Sequence, residues 1–198
     1  MKQVFLIRHA QPAFPGNSKM CIGITDIPIG DLSKQQAQHM AAKLLPVTAV
    51  FSSPLRRAVQ TAQAIGQPVT ILPGLREMAV GEWDGLTFDQ IRERYPELYA
   101  ARARDMTIPL PSAEDTHVCL SRFCAAMELA AREAPGDFAV VAHGGIIAQF
   151  LQKITGIWRK PDYAQYDLQA AVTEYYKLFY SCELTEEMYR NLLMNALP

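Results

Sequence analysis

Hydrophobic residues along this chain fall into short unbroken runs, each closed by polar or turn-forming residues. Val4-Phe5-Leu6-Ile7, Thr48-Ala49-Val50-Phe51 and Phe138-Ala139-Val140-Val141-Ala142 are rich in β-branched and aromatic residues and lack polar alternation. That pattern predicts strands covered on both faces, as in a parallel sheet. Residues 69–72 form a shorter fourth run. Between the runs, apolar residues recur at helical spacing. Ser33 caps a predicted helix over residues 33–45, and Ser53 with Pro54 opens another that runs to about Ile65. Thr87-x-x-Gln90 has capping-box form, and Pro96 opens a continuing helix to Arg104. A long helix over residues 114–134 stops at Pro135-Gly136, and an apolar helix follows His143-Gly144-Gly145 as far as Gly156. Residues 11–32 hold Pro12, Pro15, Gly16, Gly23, Pro28 and Gly30 and read as a long loop over the first strand end. Near the end, residues 166–180 predict a last strand. Thr185 then caps a helix over residues 186–196, either a docked tail or a contact that joins copies into a homo-oligomer.

Alternating strands and helices predict an α/β fold. The 198 residues suit a single domain, with a catalytic core over about residues 3–156 and a strand and tail helix within residues 163–198. Three of the strand runs end in chemistry-bearing residues: Arg8-His9, then Ser52-Ser53 ahead of Arg56-Arg57, then His143-Gly144. If these strands are parallel neighbours, their carboxyl ends share one crevice, the place where open α/β sheets bind ligands. Two imidazoles and several guanidinium groups there suit a dianion. Helical geometry places Arg57, Thr61 and Ile65 on one face and turns Arg56 about 100° away, so one arginine of the pair faces the crevice.

Composition narrows the classes of function. Hydrophobic residues make up 49% and charged residues 20%, with a net charge of -1, which fits a folded globular protein and gives no reason to expect a nucleic acid or anionic membrane partner. The first apolar run ends at Arg8, too short for a secretory or membrane-spanning segment, so a cytoplasmic location is expected. Neither the four cysteines nor the four histidines have zinc-ligand spacing, and no metal or other cofactor is expected. The cysteines read as reduced thiols packed like small apolar side chains.

Phosphoryl transfer needs a nucleophile in line with the leaving oxygen, cations on the equatorial oxygens and an acid for the leaving group. A neutral imidazole can attack phosphorus, and nearby arginines keep it neutral by disfavouring the charged ring. Taken singly, His9 reads as a buried core or boundary histidine; the alternatives to a functional role are a surface ion pair for Arg57 and a helix-capping carboxylate for Glu77, with Glu82 and Asp84 on the same turn. Spacing alone does not choose between His9 and His143 as nucleophile.

The ordered series Arg8-His9, then Ser53-x-Leu55-x-Arg57-Ala58, then Leu75-x-Glu77, then His143-Gly144 resembles the histidine phosphatase superfamily, also called phosphoglycerate mutase-like. Ala10 stands where the family's first motif has glycine. The resemblance covers about residues 3–156 and implies a three-layer α/β/α sandwich with a mostly parallel central sheet. It implies that His9 is the nucleophile that forms a phosphohistidine and that Glu77 is the proton donor and later base. By the same resemblance Arg8, Arg57, His143 and Gly144 bind the phosphoryl group, no metal takes part, and the partner is a small-molecule phosphate ester. Residues 22–28 and 81–86 are similar to those of small bacterial members, which include α-ribazole phosphatases and broad phosphomonoesterases. Gln11-Pro12 follows the first motif where mutases have a polar continuation, which favours hydrolysis over mutase chemistry. The competing classes are phosphoglycerate mutase-type transfer and a catalytically weak phosphate-binding scaffold.

Overall fold

The structure is a computed structural model that describes residues 3–41, 47–105, 108–155 and 180–183. Five strands form one sheet: β1 (Gln3–Arg8), β2 (Ala49–Ser52), β3 (Val69–Ile71), β4 (Phe138–Ala142) and β5 (Tyr180–Glu183), in the order β3-β2-β4-β1-β5. The first four are parallel, and β5 runs antiparallel to β1. The apolar runs are central because both of their faces are covered. Val4 and Leu6 of β1, with Phe138 and Val140 of β4, pack against helices α5 (Thr116–Glu133) and α6 (Gly144–Thr155) through Phe123, Met127, Ile146 and Phe150. The alternate residues Phe5, Ile7, Ala139 and Val141 pack on the other side against Ala58 and Ala62 of α2 (Arg56–Gln63). Period-two alternation with both faces apolar makes the three layers that the resemblance implied.

Helix α1 (Asp31–Ala41) joins the α2 side, where Ala37 meets Ala10, Ile29 and the half-buried Ala64. A separate small cluster around Trp83, Ile91 and Leu110 ties α3 (Phe88–Arg94) and α4 (Pro96–Arg104) to the turn that carries Trp83. Both reciprocal bonds of the Thr87–Gln90 capping box are present.

Several element boundaries differ from the sequence expectation. Helix α1 opens at Asp31, with the Lys34 N–H on the Gly30 carbonyl, so Ser33 lies inside the helix, buried, instead of capping it. Residues 42–46, the expected end of that helix, lie outside the described residues. Helix α2 opens at Arg56 with Leu55 in the cap position, and the Ser53 hydroxyl lies 2.7 Å from His143 Nε2 while accepting the Leu55 N–H at 3.3 Å. Helix α5 starts at Thr116, capped by the Asp115 carboxylate on the His117 and Val118 N–H groups. β5 begins at Tyr180, where the expected last strand was to end; residues 163–179 and the expected tail helix over 186–196 lie outside the described residues.

Glu114 is freed from α5 for another task. Its carboxylate takes two hydrogen bonds from Arg76 and two from Arg122, all 2.8–2.9 Å, and a fifth from the Ala79 N–H. Arg122 also donates to the carbonyls of Gly74, Arg76 and Glu77, so the cluster braces the loop that carries Glu77. Burial alone would raise the Glu114 carboxyl, but the hydrogen bonds from Arg122 and Arg76 hold it down at about 2. Its folded value thus lies below the ordinary 4.5, so its stabilisation is complete above that value and is lost as pH falls through about 2. Glu114→Gln should destabilise the fold by roughly 1–2 kcal/mol at pH 7, with partial exposure of the arginines taken into account. In urea denaturation, variant and wild type should converge as pH drops below 4.5.

Candidate active site

Strand pairing delivers the site. β1 and β4 pair with Arg8 opposite Ala142, and β2 and β4 pair with Ser52 opposite Val141, so His9, Ser53 and His143 follow their strands side by side. The backbone continues the pairing for one more residue: the His9 N–H donates to the Ala142 carbonyl and the Ser53 N–H to the Val141 carbonyl, both at 3.0 Å. The two imidazole centroids stand 5.1 Å apart, with His9 7% and His143 0% exposed.

Hydrogen bonding assigns the proton on His9. Nδ1 lies 2.8 Å from the Ala10 carbonyl, which can only accept, so Nδ1 carries the hydrogen and Nε2 bears the lone pair. Arg57 Nε donates toward that lone pair at 3.3 Å. Burial first, and then the charges of Arg8 and Arg57, push the His9 pKa well below 6.5 against the opposing Ala10 bond. His143 is also pushed well below 6.5, by burial first and then by His9, Arg57, Arg8 and Arg122. The charge of Arg8, half-buried at the end of β1, therefore acts on both rings. Ala10, in the usual glycine position, donates its N–H to Thr61 Oγ1 at 2.9 Å and is packed in the Ile29–Ala37 cluster.

Arg57 is fully buried while Arg56 is exposed, as the helix-face argument expected. Besides His9, it donates from one terminal nitrogen to the Thr25 carbonyl and from the other to the Gly23 carbonyl, each at 2.7 Å. The fork is thus already committed in part to the loop, and two terminal hydrogens remain for an anion. Burial lowers the Arg57 pKa, opposed by Glu77, Asp26 and Asp84. Asp84 accepts the N–H groups of Gly23, Ile24 and Thr25 at 2.9–3.1 Å, gripping the loop from the side opposite Arg57. A side chain at residue 23 would put a Cβ 2.4 Å from the Met78 carbonyl oxygen, so this close approach requires glycine.

Glu77 sits at the amino terminus of α6. Its Oε1 accepts from the Met78 and Ile146 N–H groups and its Oε2 from that of Gly145, at 2.9–3.0 Å. Oε2, with one donor, keeps a lone pair for a reacting proton. Gly144, expected on the phosphoryl group, opens the helix and is half-buried. A Cβ on Gly145 would lie 2.9 Å from Glu77 Oε1, which explains the second glycine of the His143-Gly144-Gly145 series.

The structure therefore brings His9, His143, Arg57 and Glu77 together with the charge of Arg8. Sequence reasoning did not foresee Asp84, Gly145 or Ser53 as members. Asp84 lies between Gly81 and Gly85, a weak signal, and Ser53 was assigned to a helix cap. The membrane expectation stands as far as this: no helix among the described residues is long and apolar enough to cross a bilayer.

The family model for the histidine phosphatase superfamily (branch 1) matches residues 4–178, which extends past the last motif read in the sequence. A glucosyl-3-phosphoglycerate phosphatase of Mycolicibacterium vanbaalenii is 31% identical over 173 residues, which cover 79% of this chain and 76% of the relative. The native structure of a mycobacterial glucosyl-3-phosphoglycerate phosphatase superposes with a TM-score of 0.67 at 30% identity, covering 79% of this chain and 80% of that one. A metal-independent phosphoserine phosphatase of Arabidopsis thaliana is 30% identical over 77% of this chain and 68% of its own length. The α-ribazole phosphatase of Shigella flexneri shares the fold, with a TM-score of 0.64 at 24% identity over 78% of this chain and 80% of that one.

Two measurements follow from the geometry. The unfolded chain takes up a proton on each histidine near 6.5, whereas the folded chain does so well below it. Stability should therefore be complete above that value and fall as pH drops below it, by up to about 1.4 kcal/mol per pH unit for each histidine. Urea titrations between pH 8 and pH 5 should show this slope, and His143→Asn should remove its share. Gly145→Ala should displace the Glu77 carboxylate, the movable end of a side chain, with little loss of stability. Its kcat on an alkyl phosphate should fall about 100-fold, the scale of a lost general acid. On p-nitrophenyl phosphate, whose leaving group needs little protonation, the loss should be much smaller.

Proposed function

Because this chain belongs to the histidine phosphatase superfamily (branch 1), we propose that it hydrolyses a small-molecule phosphate ester through a phosphohistidine on His9, with no metal ion in the step. Phosphatase activity follows from the family and its named relatives. The route is read from the site, and the observation that carries it is the proton on His9. With Nδ1–H bound to the Ala10 carbonyl, the nucleophilic lone pair is on Nε2, beside the Arg57 guanidinium.

In the first step Nε2 bonds to phosphorus as the ester P–O bond breaks, and Glu77 delivers a proton to the leaving oxygen, so the alcohol departs neutral. Arg8, Arg57, His143 and Gly144 hold the phosphoryl oxygens, where the cations stabilise developing charge in a site shielded from water. In the second step water loses a proton to Glu77 as its oxygen bonds to phosphorus and the Nε2–P bond breaks, which releases phosphate. Burial and the neighbouring arginines support the mechanism by keeping the His9 ring neutral and nucleophilic.

The substrate is a phosphomonoester of a small polar alcohol. Phosphoserine and glucosyl-3-phosphoglycerate enter as candidates through the relatives that act on them by name. α-Ribazole phosphate, the sequence expectation, is supported by likeness of fold alone. A panel of these three esters with 3-phosphoglycerate should reveal one preferred substrate and release of phosphate without isomerisation. Rapid acid-free quenching during turnover should trap acid-labile, base-stable phosphate on His9. His9→Ala should lose about 10³-fold or more in kcat, and full activity in that variant would refute the route.

A further inference from the structure

We propose that Ser53 is a positioning residue: its hydroxyl donates to Nε2 of His143, so that Nδ1 of that ring carries the hydrogen and presents it to the phosphoryl group. The identity of the acceptor rests on the function proposed above; the assignment of the proton does not.

The sequence marks Ser53 as a helix cap, but α2 opens three residues later and takes no side-chain cap. The Ser53 side chain is instead fully buried, with Oγ 2.7 Å from His143 Nε2. A hydroxyl has one hydrogen to give and lone pairs to accept with. The Leu55 N–H donates to Oγ at 3.3 Å, which takes up one of its two lone pairs from the helix side. The hydroxyl hydrogen is then left for His143. In the reverse arrangement Nε2–H would donate to Oγ, leaving the serine hydrogen to find another acceptor in a buried place. Nδ1 would then be a bare lone pair, repelling any phosphoryl oxygen.

The far side of the ring supplies the second observation. His143 Nδ1 is buried and has no hydrogen-bond partner, beside a His9 ring whose centroid is 5.1 Å away. Buried N–H groups rarely go unpaired, since each costs on the order of 1–3 kcal/mol. The donor is held in reserve for an acceptor that arrives with the substrate. The strand pairing keeps the pair in place: the Ser53 N–H is bound to Val141, two residues before His143. Burial and the nearby charges keep the ring neutral, so only one of its nitrogens carries hydrogen.

The test is long-range ¹H–¹⁵N correlation spectroscopy on the full chain with labelled histidine, His143 being assigned from the spectrum of His143→Asn. The wild-type protein at pH 7.5 should show His143 as the Nδ1–H tautomer, and inorganic phosphate should move that N–H resonance downfield. Ser53→Ala should shift His143 to a mixture or to Nε2–H and lower kcat on the order of 10-fold, less than the ~10²–10³-fold cost of deleting a donor outright. Ser53→Thr, which retains the hydroxyl, should restore the tautomer. A wild-type Nε2–H signal, or an unchanged tautomer in Ser53→Ala, overturns the proposal. Saturating phosphate that leaves the resonance in place overturns the assigned acceptor. These spectra need no turnover, so failure of the phosphohistidine route would appear in the His9 trapping experiment and leave them unaffected.

Discussion

A guanidinium with no exposure to water has to be met by acceptors, and Arg57 imposes that requirement on this molecule, three of its five N–H groups being bound within the protein. Burying an unpaired charge costs several kcal/mol, so the surroundings of such a group are dictated. The backbone of residues 23–25 turns its carbonyls toward Arg57 and its N–H groups toward Asp84. One short stretch of peptide is thereby clamped between a cation and a carboxylate, and each contact orients the groups for the other. Arg57 Nε is left to reach His9 alone.

The second constraint is strand order. β1 and β4 are neighbours although more than a hundred residues separate them, and their register places two imidazoles at adjacent strand ends. Glu77 reaches the same place by a different device, accepting the free N–H groups at the start of α6, the helix that directly follows His143. The Arg76–Glu114–Arg122 cluster secures the other end of that loop. His9, Arg57 and Glu77 are thus each fastened to backbone, and in the proposed reaction little reorganisation would be needed as charge develops on the phosphoryl group.

Relatives at about 30% identity carry names that point to different substrates within one phosphatase family. The division in this fold agrees with that spread. His9, Arg57 and His143, proposed to handle the phosphoryl group, lie at the buried sheet end, whereas Ile24 in the loop over residues 11–32 and Phe88 of α3 are exposed.

Much of this was readable from residue order because it is local. Unbroken apolar runs marked the four parallel strands, the Thr87–Gln90 box and Pro96 marked two helix starts, and a turn of about 100° per residue separated Arg57 from Arg56. The opening of α2 was misplaced because a serine before a proline offers the same local signal whether it caps a helix or serves a distant ring. Its partner His143 is 90 residues away. Asp84 is about 60 residues from the loop it holds, Glu77 is 68 from Gly145, and Arg122 is 45–48 from the carbonyls it braces.

What residue order determined by itself is where strands and helices form and which side chains stand at their ends, since backbone sterics and hydrophobic periodicity act between near neighbours. Only the tertiary structure decided which nitrogen of His9 holds its hydrogen, what Arg57 is bound to, why Gly23 cannot carry a side chain, and why one at residue 145 would press on Glu77. Those depend on directed hydrogen bonds and close contacts between groups that meet only after the sheet has assembled.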